Sequence, residues 1–316
     1  MALPKRLVHL LAALAVLWCA ASPAADAQSS EARLSLIVLG SGGPGATGRA
    51  GSSYLVLLDD VPRILVDAGP GSFVRLGEAK VSLAHTDLVL LTHLHIDHTG
   101  ELPGLFKARA VSSPGPIVFK VWGPDGALGH GEDAYFPSTR RFLELLFGPT
   151  GAFAYLKDFS SPMSIQAHDI PAQVRANETP HVIFSEAALA ISAIAGHHGD
   201  APAIIYRIDY AGKSVTFSGD IDAQGLAGLA RIANNTDLLV FNSVVLDPPD
   251  SPAILYTLHT PPAAIGELAK TANVRRLLLS HLSPSTAEMH DAVVKSIGRH
   301  FSGPVSLAED GIRVRP

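Results

Sequence analysis

The sequence has 316 residues, of which 47% are hydrophobic and 17% charged, and its formal net charge is −5. This apolar content excludes an intrinsically disordered chain, and the length suits one α/β domain. The weak negative charge and the lack of any Lys/Arg cluster argue against a protein that holds a long nucleic acid, because such a protein needs a basic surface.

Residues 1–27 have the pattern of a secretory signal peptide. Lys5 and Arg6 precede the apolar run 7–20, and an Ala-Asp-Ala sequence ending at Ala27 offers a cleavage site. The apolar run is short for a membrane span, which needs about 20 residues. An uncleaved anchor is the alternative. We expect an exported protein, periplasmic or secreted.

Cleavage after Ala27 would leave residues 28–316 as one domain without a membrane span. The single cysteine, Cys19, lies in the removed segment. The remaining chain would therefore have neither a disulfide nor a thiolate metal site. The segment holds two basic residues and one acidic residue, so its loss takes the net charge to −6. The sequence leaves a homodimer open.

The remaining sequence predicts alternating strands and helices. In the first half we expect strands at 33–39, 53–58, 63–67, 86–91 and 116–124, and helices at 73–83, 101–110 and 138–147. In the second half we expect strands at 182–195, 204–208, 213–217, 237–241 and 276–280, helices at 223–233 and 262–272, and one more strand within 305–314. Two β-rich halves, each followed by helices, predict an αββα sandwich, in which two facing mixed sheets carry outer helices.

Two stretches do not follow this alternation. The glycine-rich segment 40–45 predicts a flexible turn at the rim of a site, because it lacks the pattern of a phosphate-binding loop. Residues 125–137 are loop-like and residues 148–180 look irregular. We interpret 125–180 as an insertion that shapes a substrate pocket.

Four potential metal ligands, His93, His95, Asp97 and His98, follow the predicted strand 86–91. Neither a strand nor a helix can point all four side chains at one place, whereas a loop can. Imidazole and carboxylate are ligands for zinc, manganese or iron. Four such groups exceed what one tetrahedral ion needs once distant ligands join, so we predict two ions. The alternative is four polar residues on a solvated loop.

This motif resembles the HxHxDH signature of the metallo-β-lactamase-fold hydrolases. Leu91-Thr92 and Thr99-Gly100 match the context of that signature, and the resemblance extends from about Leu34 to Pro284. The turn that begins at Asp67 resembles the DxGxG turn of the same family. There the aspartate orients a metal-bound imidazole rather than binding the metal. A turn-capping aspartate is the alternative for Asp67.

The resemblance implies a set of seven ligands. One ion would be held by His93, His95 and His198, the other by Asp97, His98 and His281, and Asp220 would bridge them. The segment from His198 to Arg207 resembles the family's H-x3-P-x3-YR pattern and ranks His198 ahead of its neighbour His197. Strand alternation turns these two imidazoles to opposite faces. Asp220 could instead cap the helix that follows it.

Other polar residues allow more than one interpretation. His259-Thr260 resembles a His-Ser/Thr turn in the ribonuclease Z branch, where the histidine is thought to act in proton transfer. His259 could protonate a leaving alkoxide, or it could be a capping or buried histidine. Relatives often have an acidic residue where this chain has Asn242. Five further histidines lack ligand spacing and are expected to lie at the surface or in hydrogen bonds: His130, His168, His181, His290 and His300.

The resemblance implies metal-assisted hydrolysis, with Asp97 and His259 in catalytic roles. Two cations about 4 Å apart can share a hydroxide that attacks an ester. We expect two divalent ions, zinc first and Mn²⁺ or Fe²⁺ as alternatives, acting on a phosphodiester or related small ester. The motifs look most like the ribonuclease Z and phosphodiesterase-like branch. A lactonase is the next hypothesis, and β-lactam hydrolysis is less favoured. A non-catalytic metal-binding protein is the alternative from another class, but all seven expected ligands are present.

Overall fold

Strands and helices alternate along residues 33–45, 47–112, 115–128, 135–159 and 162–316, which are the residues that the computed structural model describes. The strands are β1 (Leu34–Gly40), β2 (Ser53–Leu58), β3 (Val61–Val66), β4 (Leu88–Leu90), β5 (Ile117–Pro124), β6 (Ala127–Leu128), β7 (Tyr135–Phe136), β8 (Met163–Ile170), β9 (His181–Glu186), β10 (Leu189–His198), β11 (Ala201–Tyr210), β12 (Lys213–Phe217), β13 (Leu238–Asn242), β14 (Leu277–Ser280), β15 (Val305–Leu307) and β16 (Arg313–Val314). The helices are α1 (Ser72–Ala79), α2 (Ile96–Thr99), α3 (Leu102–Ser112), α4 (Thr139–Phe147), α5 (Leu226–Ile232), α6 (Pro262–Thr271), α7 (Pro284–Glu288) and α8 (His290–Ile297), with 3-10 helices at Ala154–Asp158 and Ala253–Thr257.

The strands form two seven-stranded sheets of similar design. The first has the order β16-β1-β2-β3-β4-β5-β8 and the second β15-β14-β13-β12-β11-β10-β9. In each sheet an antiparallel part continues into a parallel part: β3, β4, β5 and β8 run parallel in the first, and β12 to β15 in the second. Strands β6 and β7 form a separate hairpin. These mixed sheets confirm the predicted fold class.

Apolar side chains fill three layers of core. One layer lies between the sheets and includes Leu36 and Val38 of β1, while Leu39 of the same strand joins the layer under α1, α3 and α4. The third layer joins the second sheet to α5, α6 and α8. Alternate residues of one strand thus enter two different layers, because side chains alternate across a sheet. Since both faces are covered, the strands read as nearly continuous apolar runs.

Four details of the sequence prediction were wrong. Residues 148–180 contain β8, whose outward positions are partly exposed and whose sequence is therefore polar at every second residue. The predicted strand 182–195 is a hairpin of β9 and β10 that turns at Ala187, a residue with φ of 51°. The ligand motif includes the one-turn helix α2 as well as a loop. The tail forms two strands rather than one, and they join different sheets.

The parallel strands place their carboxyl ends at one end of the sandwich. Strands β3 and β4 end there in the first sheet, and β12, β13 and β14 end there in the second. Loops that follow such strand ends meet in a common crevice. Among the described residues no helix is both long and apolar enough to cross a membrane. The predicted signal peptide, with Cys19, and His130 lie outside the described residues.

Candidate metal centre

The structure brings all seven predicted ligands together. His93 follows β4, His198 ends β10, Asp220 follows β12, and His281 follows β14. His95, Asp97 and His98 come from the loop and short helix after β4. Their nitrogen and oxygen atoms form three-residue groups in which the atoms lie within 4.8 Å of one another: His93, His95 and His198; His93, His98 and Asp220; and Asp97, His98 and His281. The first and third groups are the two triads that the sequence analysis assigned to separate ions.

The first triad packs three imidazoles around one point. The ring centroids of His93 and His95 are 4.6 Å apart, and those of His93 and His198 are 5.0 Å apart. In the second triad, Nε2 of His281 lies 3.0 Å from Oδ2 of Asp97, and Nε2 of His98 lies 3.7 Å from the same oxygen. Each triad takes two residues from the first sheet and one from the second. A cation bound to either triad would therefore join the two sheets.

Asp220 lies between the triads. Its Oδ2 is 3.7 Å from Nε2 of His198 in the first triad, and 3.8 Å and 3.4 Å from Nε2 of His98 and His281 in the second. Its other oxygen, Oδ1, accepts a hydrogen bond of 2.7 Å from the side-chain amide of Asn242. One carboxylate oxygen is thus fixed by an amide while the other faces both triads. Asp220 is therefore the carboxylate that lies close to both triads.

The choice between His197 and His198 is resolved by strand alternation. His198 is buried and faces the first triad, whereas Nδ1 of His197 lies 2.7 Å from Oδ2 of Asp222 on the opposite side. In the register of β10 with β11, His198 is opposite Ala201 and His197 is opposite Pro202. The structure therefore places His198, and not His197, in the cluster.

Groups outside the cluster orient its imidazoles. Nδ1 of His98 lies 2.8 Å from Oδ2 of Asp67, which also accepts the Thr92 hydroxyl at 2.7 Å. Nδ1 of His198 donates to the carbonyl of Leu258 at 2.8 Å. Hydrogen bonds of this kind fix the tautomer and leave Nε2 free to bind a metal. The Asp67 contact matches its predicted orienting role. No sequence signal pointed to Leu258, and Asn242 stood out only as a departure from relatives, without its hydrogen bond to Asp220 being predicted.

Two polar residues of the site have unusual backbones. Asp67 and His281 have φ values of 54° and 53°, in the left-handed region that non-glycine residues rarely adopt. The glycine-rich turn packs against His281, because a Cβ on Gly43 would lie 2.7 Å from its ring. The amide of Leu282 donates to the carbonyl of Ser41 in the same turn at 2.8 Å. The predicted rim turn therefore holds the backbone of a candidate ligand in place.

Burial and neighbouring charges shift the pKa values of the cluster. Burial, aided by His98, holds the pKa of His93 well below its ordinary value, so that imidazole is neutral, as a metal ligand must be. Burial alone would raise the pKa of Asp220, but the surrounding histidines hold it well below the usual range. Burial alone would lower the pKa of His98, but Asp67 raises it to about 9.

The cluster contains buried nitrogens that lack hydrogen-bond partners. They include Nε2 of His93 and Nε2 of His98 within the described residues. A buried polar atom without a partner destabilises a protein by about 1–3 kcal/mol. These nitrogens point into a group of imidazoles and carboxylates, the donor set that zinc, manganese and iron accept. The residues therefore fit a divalent metal centre.

His259 also joins the cluster. It is buried, and its Nδ1 lies 3.9 Å from Oδ2 of Asp220 and has no hydrogen-bond partner. It forms a further group with His198 and Asp220. Burial lowers its pKa to about 4. The structure thus places His259 within reach of the reaction centre, and its role as a proton donor stays a prediction.

Four further histidines among the described residues lie outside the cluster. His168 stacks on Trp122, with ring centroids 5.1 Å apart, and His181 is exposed at an edge strand. His290 and His300 lie on or next to α8 and are partly exposed. These positions agree with the expectation that none of them is a ligand.

Both the sequence and the fold have counterparts in known proteins. A profile described as a beta-lactamase superfamily domain matches residues 62–282. The chain belongs to the beta-lactamase superfamily. This confirms the family recognised from the HxHxDH motif, and membership of the superfamily supports a metal-dependent hydrolase.

Relatives within the superfamily match most of the chain. A protein named ribonuclease Z from Mycobacterium avium is 27% identical over 292 residues, which cover 89% of this chain and 98% of the relative. The uncharacterized protein Rv1339 of Mycobacterium tuberculosis is 28% identical over 260 residues, which cover 80% of this chain and 81% of that protein.

Solved structures share the superfamily fold. The short form of human tRNase Z has a TM-score of 0.65 at 19% identity and covers 89% of this chain and 99% of its own. Bacillus subtilis YhfI has a TM-score of 0.64 at 22% identity and covers 89% and 98%. Yeast PDE1 has a TM-score of 0.63 at 14% identity and covers 90% and 100%. At these identities the likeness concerns the fold alone.

Proposed function

We propose that the protein is a dinuclear metal-dependent phosphodiesterase that hydrolyses a small phosphodiester or a related ester. The observation that carries the proposal is the position of Asp220, whose Oδ2 lies 3.4–3.8 Å from histidine nitrogens of both triads. Relatives named ribonuclease Z support the choice of a phosphodiester, because RNA is joined by phosphodiester bonds.

The residues of this centre would have two kinds of role, binding the cations and orienting the ligands. His93, His95 and His198 would hold one cation and Asp97, His98 and His281 the other, with Asp220 between them. Two bound divalent cations would lower the pKa of a water molecule and polarise the scissile bond. Asp67 and Asn242 would keep His98 and Asp220 oriented. Zinc is the first choice of metal, and the zinc-bound structure of PqqB from Methylobacterium extorquens shares the fold with a TM-score of 0.59.

His259 would supply the proton that the leaving oxygen needs, once the negative charge of a bound phosphodiester has raised the pKa of its imidazole above the low value that burial imposes. Its Nδ1 is unpartnered and lies 3.9 Å from Oδ2 of Asp220. A His259→Gln variant should lose about tenfold or more in kcat for a phenyl ester, whose leaving group needs protonation, and much less for a p-nitrophenyl ester. Equal losses for both esters would contradict this role.

RNA is the second candidate substrate. The sequence predicted that no long nucleic acid binds, but the comparisons do not support that expectation, because relatives are named ribonuclease Z. A ribonuclease should prefer a structured precursor RNA over a small diester, and its binding should weaken steeply with salt. Export to the periplasm or outside the cell is a separate proposal that rests only on the sequence of residues 1–27.

The deciding experiment is hydrolysis of bis(p-nitrophenyl) phosphate by the zinc- or manganese-loaded protein, with a homoserine lactone and a precursor RNA tested beside it. We expect turnover of the diester that chelation abolishes and added metal restores. Opening of the lactone alone would favour a lactonase, and cleavage of the RNA alone would favour a ribonuclease. Two bound metals without turnover of any of the three would favour a non-catalytic metal-binding protein.

A further inference from the structure

A cavity of about 520 Å³ opens beside the candidate metal centre. We call it the side pocket. Its lining consists of His95, Phe136, His198, Gly199, Asp200, Ala201, Ile254, Thr257 and Leu258. Two of these residues, His95 and His198, belong to the first triad. A group attached to an ester bound at the metal centre can therefore enter the side pocket directly.

The walls of the side pocket are mainly apolar. Phe136 comes from the β6–β7 hairpin, and its ring centroid lies 6.3 Å from that of His95. Ile254 belongs to the 3-10 helix before His259 and is 66% exposed, although it is a large aliphatic residue. Leu258 completes this wall. Three apolar side chains from two separate segments thus face one cavity that is continuous with the metal centre.

The charge of the side pocket disfavours an anionic occupant. Among the described residues that line it there is no lysine or arginine, and Asp200 is its only acidic residue. Proteins that follow a polyanionic backbone line their grooves with basic side chains. An additional phosphate would meet a carboxylate here, whereas a neutral ring or alkyl group would meet apolar surface. The lining therefore disfavours a second anionic group on the substrate.

A neighbouring cavity shows that this apolar character is local. On the other side of the β10–β11 turn, a cavity of about 550 Å³ is lined by the polar residues Asp125, Gln173, His197 and Gln224 among others. Both cavities touch His198 and Gly199. An ester at the metal centre thus meets two different environments: the side pocket offers the ring of Phe136, whereas the neighbouring cavity combines these polar groups with small aliphatic residues such as Val174.

We propose that the side pocket selects substrates by binding an uncharged aromatic or apolar substituent of the ester, with Phe136 and Ile254 as specificity-determining residues. The inference rests on the proposed function only in placing the phosphoryl group at the metal centre. A planar substituent can pack on Phe136 with favourable ring geometry, and burial of its apolar surface stabilises the complex. The protein should therefore prefer aryl phosphoesters over methyl phosphoesters that have the same charge.

The test is calorimetric binding of phenylphosphonate and methylphosphonate to the zinc-loaded protein. The two ligands present the same phosphonate to the metals and differ only in the group offered to the side pocket. We expect phenylphosphonate to bind about tenfold more tightly, which corresponds to about 1.4 kcal/mol. Equal affinities, or no binding of phenylphosphonate, would overturn the inference.

Matched variants assign the preference to the side pocket. In Phe136→Ala the difference between the ligands should fall to about twofold, and in Ile254→Ser to about threefold. Tyr135→Ala is the control, because Tyr135 precedes Phe136 on β7 and is 61% exposed but does not line the cavity. A preference that survives Phe136→Ala, or that Tyr135→Ala also removes, would contradict the proposal.

Failure of the proposed function would have a different signature. If the protein hydrolyses no diester, turnover is absent, yet the difference between the two phosphonates remains measurable. The zinc content of every variant is determined first, so that loss of metal is not mistaken for loss of the pocket. Tighter binding of a short single-stranded RNA than of phenylphosphonate at physiological ionic strength would overturn the inference in favour of a polyanionic ligand.

Discussion

The two ends of the sandwich hold the sheets together in different ways. At the end described above, buried histidines and carboxylates from both sheets face one another. At the opposite end, exposed polar groups join the sheets: Arg33 and Asp59 form an ion pair of 2.6 Å within the first sheet, and both bond to the hydroxyl of Tyr210 in the second, at 3.1 Å and 2.5 Å. Arg63 similarly reaches Glu186 across the sheets at 3.2 Å.

The two ends should therefore contribute differently to function and to stability. Exposed ion pairs contribute at most about 1 kcal/mol each and are weakened by salt. The buried polar cluster is costly without a cation and becomes favourable when one binds, so its contribution to folding depends on metal. Changes at the metal end should therefore alter metal affinity and turnover, whereas changes at the opposite end should alter only stability.

The largest effect is expected for His95→Ala. His95 is a half-buried member of the first triad, so its removal takes away a ligand without opening the core. Turnover of bis(p-nitrophenyl) phosphate should fall on the order of 1,000-fold. Circular dichroism of the metal-free variant should match that of the metal-free wild type. Unchanged turnover would remove His95 from the site.

A smaller loss is expected for Asp67→Asn. Asparagine keeps the volume of the side chain and tolerates the φ of 54° at this position. It places a neutral amide against Nδ1 of His98 and the Thr92 hydroxyl, where a carboxylate now accepts both. Zinc affinity, measured by competition with a chelating dye, should fall about 10- to 100-fold. If the affinity is unchanged, the Asp67–His98 contact has no role in metal binding.

The next effect in size is expected for Asn242→Ala, and it concerns kcat/KM. The substitution removes the 2.7 Å hydrogen bond that fixes Oδ1 of Asp220 but keeps every candidate ligand. A lost hydrogen bond to a charged group is worth about 1.5–3 kcal/mol, so kcat/KM should fall about 10- to 100-fold, toward the lower end if water replaces the amide. Asn242→Gln is the matched control that keeps an amide. A variant as active as the wild type would show that Asp220 holds its orientation unaided.

The smallest effect is expected at the opposite end, for Asp59→Asn. Hydrogen bonds from Arg33 and Tyr210 lower the pKa of Asp59 to about 2. Because this pKa lies below the unfolded value of about 4, the stabilisation is complete above pH 4 and is lost as the pH falls through 2. Urea denaturation should therefore find Asp59→Asn slightly less stable than wild type at pH 7, and the difference should shrink toward pH 3.

The control for this substitution is Asp250→Asn, at an exposed carboxylate on the loop after β13. It should leave the free energy of unfolding unchanged at both pH values. Asp59→Asn should also leave turnover unchanged, because Asp59 lies at the end away from the metal centre. A loss of turnover in Asp59→Asn would contradict the claim that changes at this end alter only stability.

The motifs predicted the ligand set because metal chemistry restricts residue type and spacing. His93, His95, Asp97 and His98 could be read directly, and strand alternation correctly separated His198 from His197. The order of strands and helices followed from apolar runs in the same way. These features depend on short stretches of sequence, so no knowledge of distant contacts was needed.

Features that depend on distant contacts were missed. The hydrogen bond from Asn242 to Asp220 arises because β12 and β13 are parallel neighbours, and that pairing leaves no local signal. The carbonyl of Leu258 reaches His198 across 60 residues, and any residue type has a carbonyl. Strand β8 was overlooked because an edge strand needs only one apolar face.

The segment between β15 and β16 connects the two sheets close to the metal centre. Between β15 in the second sheet and β16 in the first, Asp310 accepts hydrogen bonds from the backbone amides of Ser41 and Ala50. Ser41 in turn accepts the amide of Leu282, next to His281. The segment therefore links the first sheet to the backbone beside His281, a member of the second triad. A substitution at Asp310 would therefore be expected to shift His281 and so to change the affinity of the second triad for a metal ion.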